Sequence, residues 1–502
     1  MRRQGRRLMN SYRSYNKYYI LTQFCKETIP NMTKILSKPV FVTVLIFIAV
    51  TVAIPFTPST AQLVTQFEDG PNIVKDSTLM IEVVSAGEIK FPTTMAFLDS
   101  NDILILEKND GTVKRILNGT VLPEPLLDVN VANKNERGML GIAIDSKINL
   151  NKSMVNKTND KKIDNSYVYL YYTESMNQDG EDAIDNKEPL GNRLYRYELV
   201  NNKLANPKLL LDLPTNVTGL HNGGKIAIGP DDNIYLTIGD LGILDTGAIG
   251  KKIQNYKDGE APDGSGGILR IDKNGQPVGE GIIGKEHPAN LYFAYGIRNS
   301  FGIDFDPITG NLWDSENGGY NGDEINLVKP GFNSGWSRIQ GIWQIENQII
   351  QKVSQNRSEL ENFDGTGNYS RPAFVWNTSI GVTDIKFLDS DILGAKYEND
   401  IFAGDFHTGN MYHFDLRKDR TRLLLQEPLK DRLANNTAEL GKIIFGKGFG
   451  GITDLEVGPE GYLYVLALYF GGRNCDPNVP EEPCVPYNGK NSGTLFRIVP
   501  IK

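Results

Sequence analysis

One pattern recurs from about Leu79 to the end of the chain, and it limits the fold more than any other feature. An apolar strand runs into a turn of Gly, Pro, Asp or Asn, a second apolar strand follows, and after a gap comes a strand that often opens on Gly. The clearest turns are Gly229-Pro230-Asp231-Asp232-Asn233, leading into Ile234 to Ile238, and Gly458-Pro459-Glu460-Gly461, leading into Tyr462 to Leu466. Both have the residues that tight hairpin turns require. The strands that close each unit align as Gly111 to Ile116, Asn192 to Tyr197, Gly267 to Ile271, Asp323 to Leu327, Gly409 to Phe414 and Gly493 to Ile498. Each unit is too small to bury its own faces, so neighbours must stack, and radial closure gives a β-propeller. The expectation is an all-β fold, a six-bladed β-propeller of four-stranded antiparallel blades over residues 79–502. A β-sandwich array or a β-helix fits the uneven spacing of roughly 40 to 80 residues less well. The 51 glycines and 25 prolines among short apolar runs agree with an all-β reading. Three polar inserts, Lys147 to Asn165, Leu241 to Gly264 and Gln340 to Asn377, are expected on the surface or the rim.

Residues 1–61 read as an export signal or a membrane anchor, and 62–78 as a linker. Lys34 and Lys38 precede the apolar run Pro39 to Phe56, and the small residues Ser59, Thr60 and Ala61 follow it. With a start at Met32 the segment has the proportions of a cleaved signal, cut between Ala61 and Gln62. With the whole N-terminus retained it forms a single possible membrane anchor with its positive charge inside. Both readings place the bulk of the chain outside the cytoplasm. A buried core helix is the remaining alternative, and no amphipathic partner helix supports it. The first 61 residues hold nine of the 53 Lys and Arg and one of the 61 Asp and Glu, which leaves the rest with a net charge near −16. Such a surface repels phosphate backbones and argues against a nucleic-acid partner. Of three cysteines, Cys25 precedes the export segment, while Cys475 and Cys484 remain as an even pair; a local disulfide is expected there, with two free thiols as the alternative. Glycosylation sequons stand at Asn118, Asn151, Asn156, Asn216, Asn356, Asn368, Asn377 and Asn435.

The stretch richest in chemistry is Gly219-Leu220-His221-Asn222-Gly223-Gly224-Lys225, just before a strand. Its glycines let the backbone pass close to a neighbour, and His221 is one of four histidines. A loop histidine is a common structural hydrogen-bonder, so its meaning depends on its company. That company is Glu136-Arg137-Gly138-Met139-Leu140-Gly141 upstream, with Tyr295-Gly296-Ile297-Arg298-Asn299 and Ser315-Glu316-Asn317-Gly318-Gly319-Tyr320-Asn321-Gly322-Asp323-Glu324-Ile325-Asn326 downstream. The four segments, in this order, resemble the soluble pyrroloquinoline-quinone (PQQ) sugar dehydrogenases, the glucose/sorbosone dehydrogenase family.

The resemblance implies a sugar substrate, an external electron acceptor, PQQ and Ca²⁺. It makes His221 the general base that takes the anomeric hydroxyl proton, and it sets Arg298 and Asn299 at the quinone oxygens. It gives the Ca²⁺ to the backbone carbonyls of Gly318 and Gly319, where the family usually has proline in place of Gly319. Glu136 matches a position that touches the sugar. Lys225 matches a cationic cofactor position, and His407 falls where the family has a lysine. The resemblance departs at Gly451 and Thr453, which stand where the family carries two arginines facing the carboxylates of PQQ. Trp336 reads as packing rather than substrate contact. Two other functions share these residues: a family propeller without PQQ that binds a glycan or a protein, and a calcium-dependent lactonase-type hydrolase using Glu136 or Asp323.

Overall fold

The computed structural model describes residues 73–145, 166–242, 250–319, 321–346, 349–351, 359–468 and 492–501. The expected export segment, Cys475 and Cys484, and the sequons at Asn151, Asn156 and Asn356 lie outside these residues. The chain divides into residues 1–59 and 60–502, and every described strand belongs to the second unit. No helix among the described residues is long and apolar enough to cross a membrane.

The described residues of the second unit form seven small, chiefly antiparallel sheets. The first holds Pro92–Asp99, Asp102–Glu107 and Thr112–Leu117, and the second Met139–Asp145, Tyr167–Glu174, Gly191–Val200 and Lys203–Leu213. The third runs from Ile226–Ile228 through Ile234–Ile238, Gly267–Ile271 and Tyr292–Tyr295. Ser300–Phe305, Leu312–Glu316, Asp323–Val328 and Phe374–Trp376 form the fourth. Val382–Phe387, Ile401–Asp405, Met411–Phe414 and Ile444–Lys447 form the fifth, and Gly451–Val457, Leu463–Leu468, Ser492–Pro500 and Leu79–Lys90 the sixth. A three-stranded ribbon begins at Ile339–Gln340. The sheets range from three to six strands, so uniform four-stranded blades are not what the chain builds. Short strands from connecting loops extend several sheets; Phe332–Asn333 and Asn368–Tyr369, for example, add to the third in parallel.

Sequence explains the strands and the turns between them. Gly229 N donates to Asn233 O, and Asp232 takes φ 64 in the turn between Ile226–Ile228 and Ile234–Ile238, as the Gly-Pro-Asp-Asp-Asn string predicts. At the second predicted turn Gly461 has φ 90 and donates to Gly458 O.

Side chains alternate across each strand and feed two different cores. Ile103 and Ile105 pack with Leu466 and Leu495 of the sixth sheet, whereas Leu104 and Leu106 pack with Val168 and Leu170 of the second. Similar clusters join the second sheet to the third, the third to the fourth, the fourth to the fifth and the fifth to the sixth. Sheet on sheet, the stack returns to its start, which makes the unit a β-propeller. Closure is welded by an N-terminal strand: Leu79–Lys90 pairs with Ser492–Pro500, Ile81 opposite Ile498. Ile73 and Val74, within the stretch read as linker, pair with Lys447 and Gly446.

Two inserts enter the core, contrary to the expectation from their polarity. Ile253 is fully buried between the second and third sheets. Phe374, Val375 and Trp376 form the fourth strand of the fourth sheet, Phe374 opposite Ile325, because an apolar triplet inside a polar insert is enough to add an edge.

Candidate active site

The first inner strands of neighbouring sheets lie side by side around an axis, and the loops that lead into them carry the residues of interest. The His221 loop leads into Ile226–Ile228, Arg298 and Asn299 lead into Ser300–Phe305, and Glu136 leads into Met139–Asp145. The glycines around His221 are required by space. A Cβ on Gly224, at φ 121, would stand 2.7 Å from the Leu140 Cβ, and one on Gly223 would stand 2.6 Å from the Thr237 carbonyl oxygen. His221 itself is held at φ 56, a left-handed conformation uncommon for a residue with a side chain.

The imidazole is buried, and its Nδ1 lies 2.5 Å from Asp240 Oδ1. Asp240 is 1% exposed and also accepts from Gly242 N at 2.9 Å and from Trp336 Nε1 at 2.8 Å. Burial alone would raise the Asp240 carboxyl; His221, Arg298 and Trp336 outweigh it and hold the pKa below the usual carboxylate range. An ionised Asp240 can accept from Nδ1–H, and in the neutral tautomer that makes this bond Nε2 carries the lone pair. No motif in the sequence marks Asp240, although Gly239-Asp240 directly follows the strand Ile234–Ile238. A Cβ on Gly239 would stand 2.4 Å from His221 O and 2.7 Å from Arg298 O, so the strand end is pressed against both loops. Trp336, read as packing, is a hydrogen-bond donor to the dyad, and the Arg298 guanidinium lies 5.5 Å from its ring centre.

Glu136 joins these loops. Its Oε2 accepts from His221 N at 2.6 Å and from Asn299 Nδ2 at 3.2 Å, while Asn299 Oδ1 accepts from Gly223 N at 3.3 Å. Arg298 Nη1 donates to Asn317 O at 3.1 Å and Gly318 O at 2.7 Å, and its backbone N–H donates to Glu316 Oε1 at 2.7 Å. Burial, opposed by Ser334 and Arg298, pushes the Glu316 carboxyl up to about 7. His221, Glu136, Arg298, Asn299 and Gly318 therefore form one connected site, with Asp240 and Trp336 as additions.

Lys225 does not point to this site. Its buried amine lies 2.9 Å from Asp384, 2.5 Å from Asp454 and 3.4 Å from Glu456, and so ties the third sheet to the fifth and sixth. The resemblance implies a cofactor contact for Lys225, and here its amine is engaged by three carboxylates. His407 is exposed, with Nδ1 3.4 Å from Ser379 O. Asp323 Oδ2 accepts from the backbone N–H groups of Ile380 and Gly381 at 2.8 Å and Val382 at 3.3 Å, and Oδ1 from Gly318 N and Ser379 Oγ. It anchors loops and has no oxygen left for activating water.

These donors suit the quinone edge of PQQ, where a guanidinium and an amide face paired oxygens beside a base. They suit its three carboxylates less well, since Lys225 is engaged elsewhere. Gly318 O, assigned to Ca²⁺ by resemblance, is hydrogen-bonded to Arg298, and Gly319 is exposed. Among the described residues one His/Asp group has metal-ligand spacing, Asp400, His413 and Asp415, and it includes neither glycine.

Comparison with known proteins gives the same direction. An uncharacterized protein of Synechocystis sp. is 24% identical over 426 residues, covering 80% of this chain and 90% of that protein. An aldose sugar dehydrogenase of Escherichia coli is 26% identical over 255 residues, 51% of this chain and 59% of that enzyme. In fold, the chain is similar to the PQQ-bound aldose sugar dehydrogenase of Streptomyces coelicolor, with TM-score 0.54, 20% identity, and 84% and 98% of the two chains covered. The family description Glucose / Sorbosone dehydrogenase matches residues 89–472, which take in every loop of the site, and the chain belongs to that family.

Proposed function

We propose that this protein oxidises an aldose at its anomeric carbon to the lactone, outside the cytoplasm, and passes the electrons to an external acceptor. In this reading the six sheets of four or more strands are the six blades of the propeller, residues 1–61 direct export or anchor the chain, and the catalytic loops meet at one end of the axis. The observation that carries the reading is the His221–Asp240 pair, buried, 2.5 Å apart and flanked by Arg298 and Asn299.

Asp240 fixes the imidazole so that Nε2 receives the proton of the anomeric hydroxyl, and it stabilises the imidazolium that forms. Trp336 and Gly242 keep Asp240 ionised and in place. Glu136 holds the His221 backbone and the Asn299 amide, and its other oxygen is available to a sugar hydroxyl. Arg298 places positive charge where negative charge grows as the substrate is oxidised. An ortho-quinone of the kind the family uses would, when held at the Arg298 and Asn299 edge, supply the hydride acceptor that no side chain can be. A lactonase built on Asp323 is not supported, because both of its oxygens are engaged.

The test is to add PQQ and Ca²⁺ to the purified protein and follow dye reduction across a panel of aldoses. Sugar-dependent reduction that His221→Ala abolishes supports the reading. No reduction at saturating PQQ or its uncharged trimethyl ester contradicts it and favours a propeller that binds a glycan without oxidising it.

A further inference from the structure

From Arg298 the site continues to the ends of the fifth and sixth sheets. Arg298 Nη1 bonds Gly318 O, Gly318 N bonds Asp323, and Asp323 bonds the Gly381 N–H. Gly381 O accepts from Phe406 N, and a Cβ on Gly381 would stand 3.0 Å from His407 Nε2. Beside them a Cβ on Gly451 would stand 2.9 Å from the Phe406 ring, so that ring fills the space into which a side chain at 451 would grow. Thr453 Oγ1 lies 3.3 Å from Leu466 O, and Thr383 Oγ1 lies 2.7 Å from Ile452 O. This wall presents an aromatic ring, hydroxyls turned to backbone carbonyls, and one exposed imidazole.

The cations around it are engaged. Lys225 faces three carboxylates. Lys108, near Glu136, donates to the carbonyls of Asn133, Asn135 and Arg137, and Arg137 is paired with buried Asp182. Arg298 alone among these groups stands at the site, and two of its bonds are to backbone carbonyls. Among the described residues, a planar trianion placed here meets one guanidinium at its quinone edge and a wall without a fixed cation beside it, and a buried carboxylate without a charged partner is unfavourable.

We propose that the wall of Phe406, Gly451, Thr453 and His407 selects against carboxylates, so that the site takes an aromatic ortho-quinone bearing fewer anionic groups than the three of PQQ. This rests on the dehydrogenase reading. Arg298 and Asn299 hold the quinone edge, and Phe406 offers an apolar surface to the rest of the ring system.

The full chain, with Ca²⁺, is titrated with PQQ and with its trimethyl ester, which keeps the ring system and removes the charges; binding is read by quenching of tryptophan fluorescence and checked by equilibrium dialysis. The ester is expected to bind at least as tightly as PQQ, with PQQ affinity nearly independent of salt. Thr453→Arg is expected to tighten PQQ about tenfold, the scale of one charge-assisted bond, and to leave the ester unchanged. His407→Lys, at an exposed position, repeats the test without burying a new side chain. PQQ binding about 100-fold tighter than the ester in the unaltered protein, with steep salt dependence, overturns the inference and leaves the dehydrogenase reading standing. Binding of neither compound overturns both.

Discussion

At the scale of single residues the proposed chemistry rests on His221 and the groups that hold it. Asp240→Asn replaces an acceptor by an amide, so Nδ1 loses its carboxylate partner; kcat is expected to fall by on the order of 10²–10⁴-fold while the melting temperature moves little. Trp336→Phe keeps the ring and removes one donor from Asp240, and a drop of about tenfold in kcat is expected, the scale of one lost hydrogen bond. Steady-state kinetics beside thermal melts checks both, and a loss of activity matched by an equal loss of folded protein would contradict them. His221, Glu136, Arg298 and Asn299 are legible in the sequence because each sits in a short glycine-bearing motif. Asp240 is not, since an Asp after a strand is as common in turns as in active sites. Lys225 misleads for a related reason: a lysine in a motif shows its charge, but its three carboxylate partners come from residues 159 to 231 positions away.

At the scale of strands and loops, the glycines of the His221 loop are legible as close approaches, and the structure gives each its neighbour. Gly224→Ala forces a Cβ to within 2.7 Å of Leu140 at a φ that favours glycine, and a loss of about 1–3 kcal/mol is expected from chemical denaturation. The fourth and fifth sheets are joined by Arg420, whose Nε lies 2.8 Å from both oxygens of buried Asp306. Burial works against the charged Asp306, yet Arg420, Thr309 and the Ile308 N–H hold its pKa below the ordinary value. A depressed carboxylate adds stability above its unfolded pKa of about 4 and loses it as pH falls through the folded value. Arg420→Gln is therefore expected to cost about 3 kcal/mol at neutral pH, with the difference shrinking at acid pH. A difference independent of pH would show that the pair is not the cause. The strands that the turn chemistry marks, such as Ile234–Ile238 and Leu463–Leu468, form where that chemistry predicts them. Phe374–Trp376 escapes such a reading because its pairing partner, Asp323–Val328, lies some fifty residues back across a polar insert.

At the scale of the whole unit, stability depends on a closed stack in which each sheet buries both faces. The last sheet takes one strand from the start of the unit and three from its end, so closure is a contact between distant parts of the chain. Ile498 is fully buried between the fifth and sixth sheets and pairs with both Ile81 and Leu463. Ile498→Asp is expected to prevent closure and yield protein cut readily by proteases under conditions where the unaltered unit resists; equal resistance would contradict this. The repeat is legible because the same strand and turn chemistry recurs six times. The differing sheet sizes are not, because loop segments such as Phe332–Asn333 join a sheet through backbone pairing that side-chain patterns do not record.

The proposed mechanism turns on one step, in which His221, set by Asp240, would take the anomeric proton while the hydrogen on that carbon leaves as hydride. The direct measurement is a single turnover of protein loaded with quinone and Ca²⁺, comparing an aldose with its anomerically deuterated form in the unaltered protein, Asp240→Asn and His221→Ala. A primary isotope effect on quinone reduction is expected, with a large rate loss in both variants and quinone binding unchanged. Quinone reduction at the unaltered rate in His221→Ala would contradict it.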